Sequence, residues 1–501
     1  MVNSTDSPFS HHFNTNYAPS NEEIQIIQKD LVSRAQELAQ IDARISELSA
    51  QRDKIQAYID SHKALVSHPR RLPPDIVREI FVACLPTTRN AVMSAQEAPL
   101  LLCRICSAWR TIALSSPRLW ASIHVPFDYV LRNEARMPAV AQWLQRSGAC
   151  PLSLSVVFED LQWADGSSSG SALLASLADF SARWWHVEFM ELSPARTREL
   201  ARIRPPALES LKLTGHVGGS LLAALELVKV STLRAVALHS RSAEHLDDIV
   251  LAMPLLWDQL THLTFQCNGD HRGFLFENVL VVLERCTRLI SFQVTLRSSI
   301  DSSSESMSLP SLEILILEGT MQTRSLSHLV ERVSMPQLRQ FRFPTLGGHR
   351  RFSLADLGTR SPLIAYLDNI SLSSFSDQSL LEALRSLPSL RKLVVLDGDS
   401  RTTQLLTLLT PKPNVNAILC PTLQELVIIY CSSLEETTLD AFIRGRIELG
   451  FRRLEFKNSM DSDMLSKDQI QSILSQGLDI SIVQDNTWTE PTTPWLGLPD
   501  S

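Results

Sequence analysis

Eleven times between Trp184 and Phe456 this chain repeats one short pattern, in which three apolar residues are separated by two variable positions and then by one. The copies run Trp184-Val187-Phe189, Leu208-Leu211-Leu213, Leu233-Val236-Leu238, Leu260-Leu263-Phe265, Leu289-Phe292-Val294 and Leu312-Leu315-Leu317. They continue as Leu338-Phe341-Phe343, Leu367-Ile370-Leu372, Leu390-Leu393-Val395, Leu423-Leu426-Ile428 and Phe451-Leu454-Phe456. Starts lie 23 to 33 residues apart, the spacing of one short strand and one return segment. Alternation at the end of each copy turns apolar side chains to one face of a strand. A single strand and helix cannot bury that face, whereas stacked copies bury it for one another. Each inward leucine then contributes on the order of 1.5–3 kcal/mol. Pro206, Pro310, Pro336, Pro388 and Pro421 sit two places ahead of a first apolar residue, where they end the preceding segment. Stretches 220–227 and 380–384 read as helical returns, and Leu152, Leu154 and Val156 as a leading strand after a helix around Trp143. The Asn or Cys that commonly follows such strands is present only at Asn268 and Cys431, so the prediction is an irregular α/β solenoid, a horseshoe, over 135–485.

At 501 residues the chain exceeds one ordinary core, unless it grows by stacking repeats. A formal charge of -7 argues against nucleic acid or an anionic membrane as the main partner. The first twenty residues, polar and rich in Ser and Asn, predict a disordered leader at 1–20 without a secretory signal. The longest apolar run, Ile249 to Trp257, is interrupted by Pro254 and far too short for a membrane span. Eight scattered cysteines fit reduced thiols of the cytoplasm or nucleus. There is no phosphate-binding loop, no dinucleotide glycine pattern, no H-E-x-x-H and no G-x-S-x-G. Cys103 and Cys106 form a C-x-x-C, but no second pair follows at zinc spacing. These absences predict a non-enzymatic chain without catalytic residues, cofactor or metal, followed by a tail at 486–501.

Residues 21–68 carry a different periodicity. Ile24, Leu31, Leu38, Ile45 and Ile59 fall at one heptad position, and Ile27, Ile41, Leu48 and Ile55 at the complementary one. Only Arg34 and Arg52 interrupt the stripe, and no Gly or Pro occurs between Asn21 and Pro69. That spacing predicts a coiled-coil helix, with Asn21 as its N-cap. Residues 21–66 would self-associate, unless the helix packs back on its own chain.

Three short helical segments are predicted next. Pro74 suits a first helical position, and Ile76, Val77, Ile80, Phe81 and Cys84 would line one face. A polar loop runs from Pro86 to Pro99, and a second helix would carry Leu102, Ile105, Cys106 and Trp109. Ser116-Pro117 restarts a short turn ending in Leu119-Trp120. So small a unit is far more stable with a partner over its exposed apolar side.

Leu72-Pro73-Pro74-Asp75-Ile76-Val77 with Ile80-Phe81, then Ile105-Cys106 with Trp109, then Ser116-Pro117 with Leu119-Trp120, resembles the F-box over residues 70–123. The Pro86–Pro99 loop is longer than in a minimal F-box, at little entropic cost. The repeats resemble leucine-rich repeats, and the combination is similar to F-box proteins abundant in mushroom-forming fungi. The resemblance implies a substrate-recognition subunit of a Skp–cullin–F-box ubiquitin ligase. Leu72, Pro73, Ile76, Ile80, Trp109, Leu119 and Trp120 would form the surface for a Skp-type adaptor or its immediate support. Through that adaptor a cullin would be reached, and the repeats would hold a client protein. The alternative is a coiled-coil and repeat scaffold not coupled to ubiquitination.

Overall fold

The computed structural model describes residues 7–66, 68–126, 130, 136–158, 168–216, 218–219, 222, 224–242, 244–297, 306–347, 355–372, 375, 377–397, 401–411, 418–431, 434–457, 474 and 477–483. The expected tail at 486–501 lies outside them, as do residues 220, 221 and 223 of one expected helical return. The chain is mixed α/β, with a long N-terminal helix and a large parallel sheet, an arrangement compatible with a repeat solenoid. It divides into two compact units, Met1–Glu79 and Ile80–Ser501.

In the first unit the helix α1, Asn21–Leu65, buries none of its residues. Its N-cap is Ser20, one residue before the expected Asn21. The Ser20 hydroxyl accepts from the Glu23 amide at 3.4 Å, and the Glu23 carboxylate accepts from the Ser20 amide at 2.7 Å. Two amides are thus satisfied reciprocally, which Asn21 could not do with Glu23 only two places on. The Ser20 amide contributes most to holding the Glu23 carboxyl below its ordinary range. The expected disordered leader contains, among its described residues, a 3-10 turn at Ser10–His12, and the Tyr17 hydroxyl donates to Glu23 at 3.0 Å.

The second unit holds strands β1 (Ser122–Pro126), β2 (Leu152–Val157), β3 (Trp184–Leu192), β4 (Ser210–Gly215), β5 (Ala235–Ser240), β6 (His262–Cys267) and β7 (Ser291–Leu296). Then come β8 (Met307–Ser308), β9 (Ile314–Gln322), β10 (Val333–Ser334), β11 (Gln340–Arg342) and β12 (Thr345–Gly347). The last are β13 (Tyr366–Ser371), β14 (Lys392–Leu396), β15 (Glu425–Ile429), β16 (Arg453–Lys457) and β17 (Asp479–Val483). Apart from the short pair β8–β10 and from β12, which lies beside β9, they form one sheet in chain order. Every described pairing is parallel, as expected when each return segment brings the chain back to the same end. β1 lies before residue 135, where the repeat region was expected to begin.

Register follows the apolar pattern. Leu211 pairs with Val236, Val236 with Leu263, Leu263 with Phe292 and Phe292 with Leu315. The first apolar residue of each copy, such as Leu233, Leu260 or Leu312, is buried. Of the tryptophan pair opening β3, Trp184 is buried and Trp185 exposed. One copy is framed differently from expectation. Leu367 pairs with Phe341 and Leu393, the middle residues of their copies, so Leu367 is a middle residue and the buried Ile364 comes first. The copy reads Ile364-Leu367-Ile370 with an inserted Asn369, which takes the left-handed conformation at φ 64° and donates through Nδ2 to the Phe343 carbonyl at 2.7 Å. An extra strand residue is accommodated as a bulge, and Asn tolerates positive φ better than most residues.

Between β15 and β16, the helix Glu436–Ile447 carries Arg446, fully buried and, among the described residues, without a carboxylate partner. Its guanidinium donates to the carbonyls of Leu409 (2.7 Å), Cys420 (2.8 Å) and Leu419 (2.5 Å), joining this return segment to the previous one. Arg446→Leu would leave three carbonyls without that donor, at a cost of at least about 3 kcal/mol if each costs about 1 kcal/mol or more. Urea denaturation should show a lower midpoint for this variant; an unchanged midpoint would mean water replaces the guanidinium freely.

Candidate functional site

Residues 72–120 supply the first candidate surface. Helix α2, Pro74–Ala83, follows the exposed Leu72 and Pro73. It does not place its apolar residues on one face as expected. Val77 and Phe81 are buried, whereas Ile76 and Ile80, also one turn apart, face solvent with 46% and 41% of their surface exposed. The division between the two compact units falls within this helix, between Glu79 and Ile80.

The expected second helix is two. Helix α3, Leu102–Ile105, ends where Cys106 becomes extended at φ -157°, and helix α4, Ser107–Leu114, begins after it. The Cys106 sulfur accepts from the Trp109 amide at 3.5 Å, and Arg110 Nε donates to the carbonyl of Cys103 at 2.8 Å. A side-chain cap and a side-chain donor replace helical hydrogen bonds across the break. The C-x-x-C pair is split by it, with Cys103 half-buried and Cys106 exposed. Burial raises the Cys103 thiol, against the opposing pull of Arg146 and Arg110. Trp109 is half-buried and meets Phe81 edge-on, with centroids 4.9 Å apart. Leu119 and Trp120 are fully buried, Trp120 donating to the Ala113 carbonyl at 2.9 Å and meeting Trp143 edge-on. Neither side chain therefore reaches the surface. Leu101, Ile105 and Leu114, none of them among the expected surface residues, are exposed apolar groups of this region.

The loop from Pro86 to Pro99 is not merely a solvated insertion. Ala91, Val92, Ser94 and Ala98 are buried, and Val92 bridges to His124 of β1 in parallel. The His124 amide donates to the Ala91 carbonyl at 2.7 Å, and Asn90 Oδ1 accepts from Ser122 and Ser153, each at 2.8 Å. This segment therefore covers the first edge of the sheet, where unpaired strand groups would otherwise be open to other chains. Glu97 holds it in place, accepting from the Val92 amide at 2.8 Å and from both terminal nitrogens of Arg89, at 3.1 and 2.6 Å. Burial raises the Glu97 carboxyl, but these hydrogen bonds outweigh it and the net shift is downward. Burial, reinforced by the Arg89 charge, pushes His124 down to about 3, so its ring is neutral near neutral pH.

The second candidate surface is the outward side of the strands, whose charges are largely met between neighbours. Lys212 pairs with Glu188 at 2.5 Å, and Lys392 with Glu425 at 3.0 Å. Glu318 accepts from Gln266, Gln293 and Arg342. Trp185 donates to Glu209 at 2.6 Å. Among the described residues no group of His, Cys, Asp and Glu is arranged to hold a metal ion. Neutralised polar chains beside an exposed aromatic suit contact with another protein.

No family model matches the chain, and no curated protein matches it. Among solved structures it is similar to the crystal structure of a Rad7 and Elc1 complex in yeast, with a TM-score of 0.40 and 13% identity over 93% of this chain and 98% of that one.

The Glu97 clamp gives a signed pH dependence. A carboxylate whose folded pKa lies below its ordinary 4.5 stabilises the fold above that value and ceases to do so as pH falls through the lowered one. Glu97→Gln should therefore unfold at lower temperature than the parent near neutral pH, and the two should converge in acid. A constant difference across that range would assign the effect to packing.

Proposed function

We propose that this chain is an F-box substrate receptor of a Skp–cullin–F-box ubiquitin ligase. The observation that carries the proposal is the outward pair Ile76 and Ile80 on α2, inside the motif that resembles the F-box, with Leu72 and Pro73 also exposed just ahead of it. The same helix buries Val77 and Phe81, so its inward side is already filled while a second apolar side faces water. Such a pair gains by desolvation against a partner. In this reading a Skp-type adaptor covers that side, Trp109 supports it through its edge-on contact with Phe81, and Leu119 and Trp120 fix the local fold. A cullin is reached through the adaptor, and the outward strand positions hold the client, in the cytoplasm or nucleus.

The mechanism is proximity. Holding a client lysine near a charged ubiquitin carrier raises its effective concentration, and no covalent step, cofactor or metal is assigned to this chain. Ile76→Ala combined with Ile80→Ala should reduce recovery of a Skp-type adaptor more than about tenfold, since truncated hot spots commonly cost about 2 kcal/mol or more. Leu119→Ala should instead act on stability, costing about 2–5 kcal/mol as a buried truncation. Adaptor recovery unchanged by the double variant, with its circular dichroism intact, would overturn the assignment.

A further inference from the structure

We propose that α1 is a self-association element and that the helix covering it is α1 of a second copy of this chain. Its apolar stripe repeats at alternating steps of three and four from Ile24 to Ile59, the spacing of a seam packed knobs into holes. The seam is uncovered: Leu31, Leu38, Ile41, Ile45 and Ile55 each expose 51 to 61% of their surface. A single exposed helix gains nothing from such a stripe and is marginal in water. The stripe is about 50 Å long on a cylinder about 10 Å across. Half the circumference over that length is about 800 Å2, the area one partner contributes to a standard stable interface.

The two interruptions identify the occupant. An unlike helix selected for Arg34 and Arg52 would have to bring acidic side chains opposite them. Here both charges are met within α1: Arg34 lies 3.1 Å from Glu37 and 3.9 Å from Asp30, and Arg52 lies 2.7 Å from Asp53. Asp30 and Glu37 both occupy the position flanking the seam, so the guanidinium of Arg34 leans to the rim while its stem crosses the apolar stripe. An identical helix can therefore lie against this one without supplying any acid. The proposal rests on α1 alone and is independent of the adaptor reading. Joined in this way, two copies would present two outward strand surfaces to a multivalent client.

Sedimentation of the full chain at micromolar concentration tests it. The parent should have the mass of two or more copies. Leu38→Asp with Ile45→Asp should raise the dissociation constant at least about a hundredfold, because a charge would be buried in an apolar seam. Val32→Asp alters an equally exposed apolar residue off the seam and should leave the assembly intact. Arg34→Leu with Arg52→Leu, which cannot fail by losing helix, should tighten it about tenfold or more, as apolar residues replace charged seam positions. A monomeric parent that stays monomeric in the Arg→Leu variant would overturn the proposal. So would an assembly that survives the two seam aspartates.

Discussion

Everything in the second unit depends on one repeated contact, the apolar residue in the middle of each strand lying beside its equivalent in the next. From Leu211 through Val236, Leu263, Phe292, Leu315 and Phe341 to Leu367, Leu393, Leu426 and Leu454, these residues keep one register. No strand can hide this face by itself, so each copy is stable only because its neighbours are there. A slip of one residue would turn the apolar set toward water. Irregular spacing is therefore absorbed in the return segments and, at Asn369, in a bulge. Outward side chains escape the constraint, so contacts to other molecules can vary there without disturbing the core.

Much of this architecture was legible because burial with period two leaves a strong mark on composition. Strand positions could be read directly, as could the long helix with its heptad stripe. Frame was harder where a strand carries an extra residue: Leu367, Ile370 and Leu372 satisfy the pattern as well as the true set does. Pro362, two places before Ile364, was the available signal, since the same offset precedes five other copies. Helix interiors were less legible than strands in residues 72–120. Leu102, Ile105, Cys106 and Trp109 have helical spacing, yet the Cys106 cap and the Arg110 hydrogen bond stabilise a break there. Spacing alone also cannot tell which side of a short helix faces water, which is why Ile76 and Ile80 were grouped with Val77 and Phe81. The covering of the sheet edge by Ala91 and Val92 is a contact with strands distant in sequence, and local polarity hid it.

This packing leaves apolar groups uncovered at two places. In the second unit, the sheet edge is closed by Asn90–Val92, and Trp120 meets Trp143 edge-on, Trp143 donating to the Ser122 carbonyl at 3.2 Å. These contacts make the short helices after α2 and the start of the sheet one packed structure, so a partner bound to those helices would be held in a fixed relation to the strands. Around residues 72–80 the exposed large apolar residues are Leu72, Ile76 and Ile80, with Pro73 exposed beside them; on α1 they form a long seam broken only by Arg34 and Arg52. The first set is short and suits a partner whose own surface completes a small helical unit, whereas the second is long, periodic and self-neutralised.

Hydrogen exchange of the full chain, with and without a purified Skp-type adaptor, tests the central claim most directly. Amide protection gained on mixing should concentrate in residues 72–83, extend to segment 101–114, where Leu101, Ile105 and Leu114 are exposed, and leave the outward strand positions unchanged. Absence of a complex, or protection confined to the strands, would contradict the assignment of this chain as an F-box receptor.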